Sequence, residues 1–204
     1  MAMPLPKQQI WKWFVDDAAE PSSALAVENA TPTLANNTSK IRLRVTLTNG
    51  GSNIVGTAFN LTYSTDNTTF TSLGAGKAWN NADGAGPLGY YVTSFKTSDG
   101  AIYGCYHEND SGTESISTNT FVEMDFCIVP TGTVAANTTY YFQLMRAGAT
   151  VVPLGTGKTH PQVLTAAGGS SSSVSKVLGV ARAACAKIAG VASAALKKIS
   201  GVSW

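Results

Sequence analysis

The sequence predicts an all-β fold, built as an antiparallel β-sandwich and followed by a short C-terminal repeat that is either helical or extended. From residue 9 to about residue 166, apolar and polar residues alternate with a period of two, as in strands that bury one face. Gly, Asn, Asp and Pro interrupt this alternation at short intervals, which is typical of sandwiches and barrels. No segment in this range shows the apolar stripe of an amphipathic helix.

The clearest strand pattern covers residues 41–48, where apolar residues alternate with Arg42, Arg44 and two threonines. We expect its apolar face to be buried and its arginine face to lie in water, as in a half-exposed antiparallel sheet. The same kind of alternation predicts strands over 11–15, 59–64, 122–128 and 140–144, with 88–95 as a further candidate.

Length and composition suit one full-sized domain with a tail, and they exclude several classes of protein. The chain has 204 residues, of which only 13% are charged. No apolar run approaches the roughly 18 residues that a membrane-spanning helix needs. Three cysteines cannot build a multi-disulfide scaffold, and two histidines exclude a His-rich metal site. A net charge of +2 gives no general case for binding nucleic acid.

The chain divides into four predicted segments. Residues 1–8 form a proline-containing arm that lacks the apolar core of a signal peptide, so we expect synthesis in a cytosol without export. Residues 9–166 form the sandwich domain. Residues 167–173 form a Gly/Ser linker, and 174–204 form the repeat segment.

Residues 174–204 repeat with a period of eleven and carry a single apolar stripe on a helical wheel. All twelve acidic residues precede residue 126, so this segment is purely basic. Such a stripe predicts an oligomerising stem or a docking segment. A membrane-surface helix, a short β-repeat and a helix packed on its own domain remain open. The expected contact residues are Val174, Val177, Val180, Ile188, Val191, Leu196, Ile199, Val202 and Trp204.

Aromatic residues cluster in two long Gly-rich and turn-rich stretches, 72–87 and 107–119, or beside them. Aromatic rings among polar turns can stack on sugars or anchor protein contacts. The candidate ligand-binding residues are therefore Trp79, Tyr90, Tyr91 and Tyr106.

No pattern of reactive or metal-ligating residues singles out an enzyme, and we predict no catalytic residue, metal or cofactor. Cys105 and His107 share a Cys-x-His spacing, yet no third group identifies a catalytic arrangement. Acidic clusters such as Asp16, Asp17 and Glu20 do not match the spacing of a known calcium loop. The sequence GTGKT at 155–159 lacks the first glycine of a phosphate-binding loop.

Strand patterns occur in six segments, which are IWKWFVDDAAE (10–20), SKIRLRVTLTN (39–49), FNLTYSTD (59–66), FVEMDFC (121–127), TYYFQLMRAG (139–148) and HPQVL (160–164). Together they resemble an Ig-like or jelly-roll β-sandwich module of phage virion structural proteins. The tail is similar to the Gly-Val-Ala repeats of such proteins. The resemblance implies a virion-surface role, as a capsid decoration or a fibre component, and brings no catalytic residues with it.

The favoured function is that of a non-enzymatic virion structural protein, made in a host cytoplasm and retained in the particle. Its expected partners are copies of itself, with a trimer as one option, and other virion proteins. The alternative is a carbohydrate-binding or adhesin module that recognises a host surface glycan. Nucleic acid is not an expected partner, and membrane contact is the less favoured use of the repeat.

Overall fold

A computed structural model describes residues 6–85, 91–92, 96–98, 103–107, 113–146 and 150–167. For residues 91–92, 103–107 and 113–114 the description is limited to the backbone. The chain separates into two units, Met1–Ala167 and Gly168–Trp204, and all described residues belong to the first. The repeat at 174–204 and its contact residues therefore lie outside the described residues.

Within the described residues the secondary structure is entirely β, so the predicted all-β sandwich is confirmed. The described residues contain no helix that is long and apolar enough to span a membrane. The strands are β1 (Lys7–Val15), β2 (Ile41–Asn49), β3 (Ile54–Ser64), β4 (Thr71–Ser72), β5 (Trp79–Asn81), β6 (Tyr91–Val92), β7 (Tyr103–His107), β8 (Thr113–Ile116), β9 (Thr120–Pro130), β10 (Thr139–Arg146), β11 (Thr150–Val151) and β12 (Gln162–Leu164).

The first sheet has the order β1-β2-β9-β7-β6, and β5 also pairs with β9. The centre of this sheet is the long antiparallel pairing of β2 with β9, which runs from Ile41 opposite Ile128 to Asn49 opposite Thr120. β7 departs from the antiparallel pattern and runs parallel to β9. On the far side, the segment at 23–29 covers the free edge of β1, since Leu25 N donates to Trp13 O.

The second sheet has the order β11-β10-β3-β4, with β12 on β10 and β8 on β3. β10 and β3 pair antiparallel from Tyr141 opposite Ser64 to Arg146 opposite Phe59. Alternate residues of both strands are fully buried, among them Phe59, Phe142 and Leu144. Because side chains alternate between the faces of a strand, one face of this sheet forms a wall of the core.

The core lies between the two sheets and is rich in aromatic side chains. Trp13 contacts Phe142 edge to face, with ring centroids 5.2 Å apart. Leu43, Val45 and Leu47 of β2 are completely buried, as their odd-numbered spacing predicts. Edge-to-face packing of this kind adds a preferred geometry to the burial of apolar surface.

The opposite face of β2 does not lie in water, so that part of the sequence prediction is wrong. Arg42, Arg44 and Thr46 are all 0% exposed. The physical reason is that carboxylates on β9 neutralise the arginines while other parts of the chain cover them. Charged residues can be buried when they are paired and hydrogen-bonded.

The boundaries of the body differ slightly from those expected from the sequence. β1 begins at Lys7, which lies opposite Thr48, so the last two residues of the predicted arm belong to the sheet. The stretch at 72–87, which is Gly-rich and turn-rich in sequence, contains β5, whose Trp79 lies opposite Pro130 of β9. Pairing with a central strand makes this short segment part of the sandwich.

Candidate functional site

The largest concentration of charge in the described part of the chain is a buried cluster on the outer face of β2 and β9. Arg42 donates from Nε to Asp125 Oδ1 at 2.9 Å and from a terminal nitrogen to Asp125 Oδ2 at 2.8 Å. The third guanidinium nitrogen donates to Asp16 Oδ1 at 3.0 Å. The two-pronged pairing with Asp125 matches the fork geometry in which arginine binds carboxylates most strongly.

Arg44 extends the cluster along β2. It donates from Nε to Asp125 and from a terminal nitrogen to Glu123 at 2.9 Å. Asp125 is thus shared by two arginines, and both carboxylates are completely buried. Since Arg42 and Arg44 lie opposite Cys127 and Asp125 in the β2–β9 register, the strand pairing itself brings these charges together.

The cluster also fastens segments of loop onto the sheet. Glu123 Oε1 accepts hydrogen bonds from Lys96 N at 2.9 Å, Thr97 N at 2.7 Å and the Thr97 hydroxyl at 2.6 Å. On the other side, Asp16 accepts from Ala85 N at 3.0 Å. The buried charges therefore hold residues 85, 96 and 97 against the first sheet.

Sequence reasoning missed this cluster, although a signal was present. Arg42 and Arg44 are two residues apart on one predicted strand, and Glu123 and Asp125 have the same spacing on another. Residues two apart share a face of a strand, so adjacent strands with these patterns would match charges of opposite sign. The sequence alone did not show that the two strands are neighbours.

Trp79, predicted to be an exposed ligand-binding ring, is 0% exposed. Its ring meets Phe142 at 5.2 Å and Tyr140 at 5.6 Å between centroids, both edge to face. The expectation that this ring is exposed is wrong, because pairing of β5 with β9 turns the indole into the core. Tyr90 lies outside the described residues, and the backbones of Tyr91 and Tyr106 lie in β6 and β7.

The described thiol is buried and poorly suited to nucleophilic chemistry. Cys127 is a free cysteine with 0% exposure, and burial raises its pKa to about 12. Since the thiolate is the nucleophile, a thiol with so high a pKa is unreactive near neutral pH. In the β7–β9 pairing, Cys105 is aligned with Met124 and His107 with Phe126.

His160 lies against the outer face of the second sheet in a pocket of uncharged groups. Its Nδ1 is 2.7 Å from Asn67 Oδ1, and its ring packs edge to face on Phe70 with centroids 5.0 Å apart. Its Nε2 is 3.4 Å from Gln143 Nε2. Burial lowers the pKa of this imidazole below its ordinary value of 6.5.

The acidic residues considered as metal ligands serve other purposes in the described part of the chain. Asp16 pairs with Arg42, and Asp17 accepts from Ser22 and Ser23 in the turn that follows. Among the described residues, no group of three or more His, Cys, Asp or Glu side chains is arranged to hold a metal ion.

A shallow pocket of about 450 Å³ opens where β2 ends and β9 begins. Its lining combines one cation, polar side chains and the half-buried ring of Phe121. The lining residues are Lys7, Thr48, Asn49, Gly50, Asn119, Thr120 and Phe121.

No family model, curated protein or solved structure matches this chain.

Proposed function

We propose that this chain is a non-enzymatic structural subunit of a virion, a capsid decoration or fibre-type component. The sandwich is the displayed body, and residues 174–204 join it to other copies or to other virion proteins. One observation carries the proposal. The compact unit ends at Ala167, and the chain continues directly into a Gly/Ser run and an apolar, purely basic repeat.

The body has the properties expected of a display module. Its interior is a continuous aromatic and aliphatic core, and its buried charges are neutralised by one another. A domain with its own core can fold without help from a partner. The repeat, in contrast, carries an apolar stripe that needs another surface to cover it. The assignment to a virion is supported by this two-part organisation together with the sequence resemblance to phage virion structural proteins.

The proposal is tested by comparing the full chain with a version that ends at Ala167. Multi-angle light scattering gives the oligomeric state, and co-sedimentation with the particle measures binding. We expect the full chain to self-associate or to bind particles and the shortened chain to do neither. Equal behaviour of the two proteins in both assays would contradict the proposal.

Matched substitutions separate the apolar stripe from the mere presence of a tail. The triple change Val177→Ser, Ile188→Ser and Ile199→Ser places hydroxyl groups on the stripe. We expect it to reproduce the effect of truncation, because the apolar contact area is lost. The control triple, which adds hydroxyl groups off the stripe, should behave like the wild type. It consists of Ala183→Ser, Ala186→Ser and Ala194→Ser.

A glycan-binding module is the second candidate, and the pocket at the end of the first sheet favours it. An accessible aromatic ring beside amide, hydroxyl and ammonium groups is the chemistry that sugar recognition uses. A glycan array probed with wild type and Phe121→Ala tests this reading, with Val27→Ala as a control at an exposed apolar site. Absence of wild-type binding would remove this candidate.

A further inference from the structure

The segment from Pro161 to Ala166, immediately before the linker, is hydrogen-bonded along both of its edges. On one edge β12 pairs antiparallel with β10, where Leu164 lies opposite Thr139. On the other edge, Leu164 N donates to Pro32 O and Leu34 N donates to Leu164 O, both at 2.9 Å. The segment is therefore an interior strand rather than an edge strand.

The bonding continues beyond the end of β12. Thr165 is 0% exposed, and its N–H donates to Thr138 O at 3.0 Å. Its hydroxyl donates to Ala135 O at 2.7 Å and accepts from Thr138 N at 2.9 Å. A buried hydroxyl that donates and accepts in this way fixes the backbone on either side of it.

Asn37 closes the arrangement around Ala166. Ala166 N donates to Asn37 Oδ1 at 2.8 Å, and Asn37 Nδ2 donates to Ala166 O at 3.2 Å. The side-chain amide thus takes the place of a neighbouring strand, with one donor and one acceptor. On the opposite side, Asn137 N also donates to Ala166 O at 3.1 Å.

We propose that residues 161–166 form an anchor that receives force applied through the C-terminal segment. In this proposal Asn37 is the positioning residue that keeps the end of the anchor hydrogen-bonded to the body. Terminal segments of domains usually fray unless they are tied down. Here a pull along the strand loads the bonds on both edges together, so the strand cannot be peeled away bond by bond. The claim that force passes through the anchor rests on the proposed function, whereas the hydrogen-bonded arrangement of the anchor does not.

Hydrogen exchange on the full chain tests the anchor with a matched pair of variants. Asn37→Asp keeps the shape of the side chain but removes the donor, so a carboxylate oxygen faces Ala166 O. We expect exchange of the Leu164, Thr165 and Ala166 amides to become at least about tenfold faster, because a hydrogen bond is lost and two acceptors are brought together.

Asn36→Asp is the control, since it adds the same charge one residue away. Asn36 Oδ1 acts only as an acceptor, from Thr38 N, the Thr38 hydroxyl and Ser39 N. A carboxylate can accept all three bonds, so the exchange rates at 164–166 should stay at the wild-type level. Rapid exchange of these amides in the wild type, or equal effects of the two variants, would overturn the proposal.

Single-molecule pulling through the two termini measures the mechanical part. We expect Asn37→Asp to unfold at lower force than both wild type and Asn36→Asp, and equal unfolding forces would refute the mechanical role of Asn37. The result of the pulling experiment does not depend on the result of the truncation experiment. If the anchor is intact but truncation leaves assembly unchanged, the proposed function is contradicted. The anchor proposal is then still supported.

Discussion

At the scale of single residues, the two buried arginines decide how the outer face of the first sheet is covered. Arginine suits this position because its planar fork can satisfy two carboxylates at once. Arg42 and Arg44 share Asp125, and Glu123 binds Arg44 and also accepts hydrogen bonds from the backbone of residues 96 and 97. Removal of Asp125 leaves the remaining buried charges only partly compensated, because each arginine then has one carboxylate partner instead of two.

We expect Asp125→Asn to destabilise the protein by about 3–5 kcal/mol, the range found when one partner of a buried ion pair is removed. The amide keeps the size of the side chain but cannot neutralise either guanidinium. Urea unfolding at pH 7 measures the change. Asp83→Asn, at an exposed position, is the control and should stay within about 0.5 kcal/mol of wild type.

His160 makes stability depend on pH in a predictable direction. Burial lowers the pKa of the folded imidazole, so the unfolded chain binds more protons once the pH falls below about 6.5. The contribution is therefore complete above pH 6.5 and is lost as the pH falls towards the lowered pKa of the folded state. We expect His160→Gln to reduce the loss of stability between pH 7.5 and 5.5 in urea titrations, and an unchanged pH dependence would contradict this account.

At the scale of elements, short strands complete the core that the long strands begin. β5 has only three residues, yet it pairs with the end of β9 and brings Trp79 against Tyr140 and Phe142. The indole packs edge to face on both rings, so the side chain joins β5 to β10 across the core.

Replacement of Trp79 by Ala should therefore cost about 3–5 kcal/mol, as for other large aromatic side chains removed from cores. Thermal unfolding followed by circular dichroism measures the effect. Phe121→Ala, at the half-buried pocket ring, is a useful comparison and should cost clearly less. Wild-type stability of the Trp79 variant would show that the indole is not packed in the core.

At the scale of the whole molecule, the proposed function assigns stability to the described sandwich and assembly to the repeat segment. In the part of the chain that the structure describes, the core cluster extends from Trp11 to Val163. Since hydrophobic burial is the main source of folding free energy, the body should hold its own stability.

We expect the chain that ends at Ala167 to unfold at the same urea midpoint and with the same slope as the full chain at low protein concentration. The slope reports the surface exposed on unfolding, so a change would show that the tail packs on the body. A lower midpoint of the shortened chain would contradict the assignment of all stability to the sandwich.

The long strands could be predicted from sequence because each carries its own periodic signal. β2, β9 and β10 all coincide with segments where apolar residues alternate. The buried arginines, the core position of Trp79 and the double bonding of residues 161–166 could not be predicted in the same way. Each depends on which distant segment lies alongside, as Arg42 and Asp125 show across 83 positions of sequence.

The amino-acid sequence by itself determined the fold class and the inward face of each long strand, because alternation is a local property of the chain. It also determined that a basic, apolar repeat follows the body. Only the tertiary structure decided that the second face of β2 is buried and that Asn37 holds Ala166. Burial and hydrogen bonding are relations between segments far apart in sequence, and they exist only once strand order and register have brought those segments together.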